Sequence, residues 1–180
     1  MKLFLTLLLF LFSTQLAFSD TPPQWRANFS IKSENAKYEA EVEAADESKA
    51  SYPQLKKYIL TVFEIKEGQR LPLWSSDYKY DGYSDGVLSN DGLTFVYVNF
   101  WYYSELPVVT IYHKGTKREI LGKDFEIQPA KIKQTVSHQL WLKEDGKQYR
   151  FVSNDSLMML TIDNNQYLID VTTGKISKGQ

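Results

Sequence analysis

Apolar and polar residues alternate along most of the chain with a period of two, and turn-forming residues interrupt the alternation at short intervals. That pattern predicts short antiparallel strands joined by hairpins. Phe29 and Ile31 alternate with polar neighbours, Ser33 to Ala36 make a turn, and Tyr38, Ala40 and Val42 alternate on the return. Glu39, Glu41 and Glu43 hold the opposite parity, which predicts a solvated acidic face. The polar, Ala-rich residues 44–51 read as a loop or a single helical turn. A second hairpin follows, with Tyr58 to Ile65 outbound, Lys66 to Gln69 turning and Leu71 to Trp74 returning. Pro72 places the last strand at an edge, because proline cannot donate to a ladder.

Val87 and Leu88 lead into a turn, Ser89-Asn90-Asp91-Gly92, and then into Thr94 to Trp101, where nearly every residue is β-branched or aromatic. Asp-Gly between such runs is a strong hairpin signal, since glycine supplies the positive φ of the turn. Phe95, Tyr97, Asn99 and Trp101 share one face; Thr94, Val96, Val98 and Phe100 share the other. A strand apolar on both faces is predicted at the centre of the sheet. Val108 to Tyr112, the turn His113 to Thr116, and Lys117 to Leu121 complete this stretch, and Gly122 to Ile127 can hold a helical turn before Pro129. Beyond it, Val136 to Leu142 reads as a strand carrying Trp141. Glu144 to Lys147 turns into Tyr149 to Val152, Ser153 to Ser156 into Leu157 to Ile162, and Asn164-Asn165 into Tyr167 to Val171; Thr173-Gly174 turns once more toward Ile176.

Ser33-Glu34-Asn35, Ser89-Asn90-Asp91 and Ser153-Asn154-Asp155 thus open three similar units, at about residues 25–74, 87–127 and 133–176. A recurring module that cannot bury its apolar face alone must stack on its neighbour. Ser-x-Asp-Gly before a strand, together with Ile169 to Lys175 (Ile-Asp-Val-Thr-Thr-Gly-Lys), resembles the blade motif of secreted bacterial β-propellers. The likeness covers Ser89 to Val98 and Tyr167 to Ile176, and Ser33 to Val42 more loosely because Asn35-Ala36 replaces Asp-Gly. The layout is also similar to exported bacterial proteins of unknown function. The resemblance implies four-stranded blades, though complete propellers close with four to eight of them. Three units predict an all-β domain built as an open propeller-like array or a curved β-sandwich. Blade motifs transfer no activity.

The ends bound where the protein works. Lys2, the apolar Leu3 to Phe12 and the small residues of Ala17-Phe18-Ser19 read as a cleavable secretory signal over residues 1–19. Ser13, Thr14 and Gln15 interrupt the apolar run well short of the about 20 residues a membrane-spanning helix needs. The expected product is residues 20–180, one exported periplasmic or extracellular domain without stable membrane insertion. A domain of this length buries about 68 to 70% of its unfolded surface, so the absence of cysteine fits a core that needs no staple. The formal net charge of −1 offers no polyelectrolyte attraction, which argues against nucleic acid as a partner.

Candidate chemistry is sparse. Asp77, Asp81, Asp85 and Asp91 share a Tyr- and Gly-rich stretch, but their spacing is not that of a calcium loop, and they read as turn formers. The two histidines, His113 and His138, have no metal-spaced companions, and no Gly-x-Ser-x-Gly elbow is present. No cofactor or metal is expected. Tyr78, Tyr80 and Tyr83, with Trp101, Tyr102 and Tyr103, form an aromatic concentration between strands, and exposed Tyr and Trp make stiff contact area for partners. The leading expectation is a non-enzymatic module binding an envelope protein, peptide or glycan through these loops. The alternatives are a hydrolase using acids of the 77–91 stretch and a structural envelope component.

Overall fold

The computed structural model of the chain describes residues 28–45, 57–79, 83–135, 138–143 and 148–179. The expected secretory signal, the segment 46–51 expected as loop or helical turn, Tyr80, Asp81 and the expected 144–147 turn lie outside the described residues. The fold is all-β, with four antiparallel sheets that do not close into a barrel. Strands β1 (Phe29–Lys32), β2 (Tyr38–Ala44), β3 (Tyr58–Lys66) and β4 (Gln69–Tyr78) form the first sheet in chain order, β5 (Val87–Leu88), β6 (Thr94–Val98), β7 (Pro107–His113) and β8 (Thr116–Leu121) the second. A short hairpin of β9 (Lys133–Gln134) and β10 (Gln139–Leu140) precedes the third four-stranded sheet, β11 (Tyr149–Ser153), β12 (Ser156–Leu160), β13 (Gln166–Asp170) and β14 (Ile176–Lys178).

The strand periodicity sets how these sheets stack. On β6 all five side chains are buried, because each face meets a different core. Phe95 and Tyr97 turn toward the first sheet and join Ala40, Val42, Leu60 and Val62. Val96 and Val98 turn the other way and join Leu157, Met159, Tyr167 and Ile169 of the third. The second sheet is therefore sandwiched, as the two-faced apolar run implied. β6 is shorter than expected, however. The strand ends at Val98, where the Asn99 side-chain oxygen accepts the Trp101 N–H at 3.0 Å and bends the chain. The expected strand 136–142 is cut to Gln139–Leu140 among the described residues, so the third four-stranded sheet starts at Tyr149.

The turns explain how the first two sheets hold each other. Ser33 and Ser89 build the same loop: each hydroxyl donates to the side-chain oxygen two residues on (2.7 and 2.6 Å) and accepts the N–H five residues on (3.1 and 3.0 Å). The loops also touch. The Asn35 N–H donates to Asn90 Oδ1, and Asn35 Nδ2 to the Asn90 carbonyl, both at 2.8 Å. Gly92 has φ of +71° and sits so close to the Tyr38 ring that a Cβ there would lie 2.3 Å from Cδ1. Trp74 Nε1 donates to the Gly92 carbonyl at 2.8 Å. The Ser153 sequence makes a plain two-residue turn instead, and a comparable side-chain network forms around Thr161, whose hydroxyl donates to Asp163 at 2.6 Å.

Other local expectations match the structure. β3 and β4 meet through Glu67-Gly68, and β7 and β8 through Lys114-Gly115, each pair with positive φ at both positions, the geometry that two-residue hairpins favour. Pro72 lies on the edge strand β4, opposite Phe63 and beside a register shift. Arg70 lies over the Phe63 ring at 4.0 Å and pairs with Glu41 at 2.7 Å, which partly neutralises the acidic face. Gly122–Phe125 is a 3-10 turn. It delivers Phe125 edge-on to Trp141, 5.0 Å away, at the centre of the larger core.

Candidate functional site

The structure turns most of the predicted aromatic site inward. Tyr78 ends β4 on its core-facing parity and stacks on Tyr112 at 5.5 Å. Tyr102 is buried against Trp141, 6.0 Å away. Tyr83 and Trp101 pack with Leu140 into a small separate cluster beyond the end of β6, and His138 stacks on Trp101 at 4.2 Å. Burying such rings removes large apolar area from water, which is the stronger drive. Of the described members only Tyr103, 37% exposed, presents its ring to solvent. Phe100, absent from the predicted set, is 39% exposed. Its signal was Asn99: a turn former inside an apolar run ends the alternation and swings the next side chain out of the sheet.

Phe100 rims a cleft of about 260 Å³ at the end of the second sheet, between it and the third. Tyr83 forms one aromatic wall, edge-to-face with Phe100 at 6.0 Å, while Val98 and Leu142 supply the apolar floor. Asp85 and Tyr149 supply the polar group. Tyr149 Oη donates to Asp85 Oδ2 at 2.6 Å, and the Gly86 N–H donates to Oδ1 at 2.7 Å. Burial first, and then the charge of Asp85, push the Tyr149 phenol well above its ordinary value. It therefore stays protonated at neutral pH and acts as a fixed donor.

Asp77 and Asp91, the other described acids of the 77–91 stretch, do not join this site. Asp77 lies exposed on the edge strand β4, and Asp91 is committed to the Ser89 loop, accepting the Ser89 hydroxyl and the Leu93 N–H. His113 Nδ1 lies 2.9 Å from the Thr94 hydroxyl. Among the described residues no three His, Cys, Asp or Glu side chains cluster as a metal site would require, and no helix is long and apolar enough to cross a membrane. A wider groove of about 540 Å³ runs past Arg118, Glu119, Lys123 and Asp124. Its charges serve neighbours already: Glu119 pairs with Lys117 at 2.9 Å, Lys123 with Glu105 at 2.7 Å, and Arg118 donates to the Thr172 carbonyl at 3.3 Å. Exposed pairs of that kind mark a solvated surface. The smaller cleft combines ring faces with an accessible carboxylate, and it is the better candidate. Comparison with protein-family models and with curated proteins yields no match for the chain.

Proposed function

We propose that the protein is an exported, non-enzymatic binding module whose cleft at Phe100 and Asp85 recognises a group projecting from an envelope protein, peptide or glycan. The leader-like residues 1–19 support export. In this reading the three four-stranded sheets are successive blades of an open propeller-like array, in which β1, β5 and β11 approach one another as the innermost strands around a cavity of about 140 Å³. The recognition cleft lies where the chain leaves β6, between the second and third sheets. Loops carried on a rigid β scaffold are common places for such sites.

The observation that carries the reading is Phe100. A partly exposed ring beside a second ring and a carboxylate oriented by a phenol is the mixture of apolar area and few oriented polar groups that ligand sites share. The test is binding of the folded protein to peptide and glycan arrays, comparing wild type with Phe100→Ala. The ring is partly exposed and packs against Tyr83 and Trp101, so the melting temperature of the variant is measured alongside to check that the fold survives. Loss of one ligand class in Phe100→Ala is the expected result; indistinguishable profiles would remove the cleft from consideration.

A further inference from the structure

We propose, building on the reading of this cleft as a recognition site, that its occupant is a cationic side chain, the guanidinium or ammonium of an arginine or lysine on a partner protein. Among the described residues lining the cleft, Asp85 carries the only charge. Each of its oxygens accepts one neutral hydrogen bond, from Tyr149 Oη and from the Gly86 N–H, and carboxylate oxygens have room for a second donor. No described lysine or arginine pairs with it. The carboxylate is thus oriented, accessible and, among the described residues, without a counter-ion.

The walls suit the rest of such a side chain. Methylene stems of Lys and Arg pack against apolar surface while the charged head reaches a polar partner, and Val98, Leu142 and Phe100 offer that surface. Ring faces attract cations in addition, and Tyr83 and Phe100 flank the opening. The volume of about 260 Å³ falls just below the roughly 300 to 1,000 Å³ of small-molecule pockets, the size for one inserted side chain. An anionic group would be repelled by Asp85, and a neutral one would forgo a charge-assisted hydrogen bond with it.

The experiment titrates the protein with Nα-acetyl-arginine N-methylamide, its neutral citrulline analogue and N-acetylglucosamine, following backbone amide resonances. The expected result is saturable shifts at Ser84, Phe100 and Gln148 with the arginine probe. Its affinity should fall at least about tenfold on replacing arginine by citrulline or on Asp85→Asn, as loss of a charge-assisted hydrogen bond implies, and should weaken with added salt. Phe100→Ala, at an exposed position, provides a second variant should Asp85→Asn disturb the fold. Equal binding of the citrulline analogue, or preference for N-acetylglucosamine, would overturn the cationic occupant and leave the recognition site standing. Absence of shifts at the cleft with every probe would overturn both.

Discussion

Replacing Gly92 by alanine tests the contact between the first two sheets. The residue holds φ of +71°, and an added Cβ would meet the Tyr38 ring at 2.3 Å. Left-handed backbone costs a residue with a side chain about 1 to 2 kcal/mol. Moving a packed ring to admit one more carbon adds about 1 to 3 kcal/mol, so the full loss is about 2 to 5 kcal/mol. Urea unfolding followed by tryptophan fluorescence measures it, since Trp74 hydrogen-bonds the Gly92 carbonyl. The two parts separate in a double-mutant cycle: in a Tyr38→Ala background the same substitution should lose only the backbone share, leaving a coupling of about 1 to 3 kcal/mol. Gly92→Asn is the complementary variant, because asparagine tolerates positive φ yet still drives a Cβ into the ring. A Gly92→Ala loss below about 0.5 kcal/mol, or one equal in both backgrounds, would refute the close approach of turn and ring.

Trp141→Ala should cost about 3 to 5 kcal/mol, because the indole is fully buried and donates to the Asn99 carbonyl at 2.8 Å; chemical denaturation reads this. Tyr149→Phe should cost about 1 to 2 kcal/mol by deleting the donor to Asp85, with the exposed carboxylate then hydrated; a loss near zero would mean that hydrogen bond is not maintained. The Thr172 hydroxyl and the Thr173 and Thr172 N–H groups hold the Asp170 carboxyl down at about 2, from an ordinary 3.8. A depressed acid stabilises the fold fully above its unfolded value and loses that contribution as pH falls through the folded one. The melting temperature of wild type should therefore exceed that of Asp170→Asn above about pH 4 and converge with it toward pH 2; a gap that stays constant across this window would refute the assignment.

Strand positions were legible wherever alternation ran between turn residues, as from Phe29 to Val42 and from Thr94 to Val98, because both reflect local backbone preference. The two-faced burial of β6 was legible for the same reason: apolar residues on both parities require two covering layers. The end of that strand was not, because the run continues through Trp101 while Asn99, which bends the chain, counts as one polar residue within it. The third sheet was shifted for a different reason. Ser153 has the sequence of the Ser33 and Ser89 loops, but it pairs with Ser156 across a two-residue turn. The site was the least legible. Tyr78, Tyr83, Trp101 and Tyr102 look alike in sequence to a recognition surface and to a core, and only tertiary packing decides between them. The pairing of Asp85 with Tyr149 joins residues far apart in the chain and left no local trace.

In a stack of layers an end layer leans on one neighbour and a middle layer on two. Here the middle sheet lends its sides to two different interiors through Phe95 and Tyr97 on one hand and Val96 and Val98 on the other. Deleting either flanking sheet would bare one of those interiors to water. The amides of β6 are thus expected to exchange only when both interiors open, at the slow end of the range that native-state exchange spans.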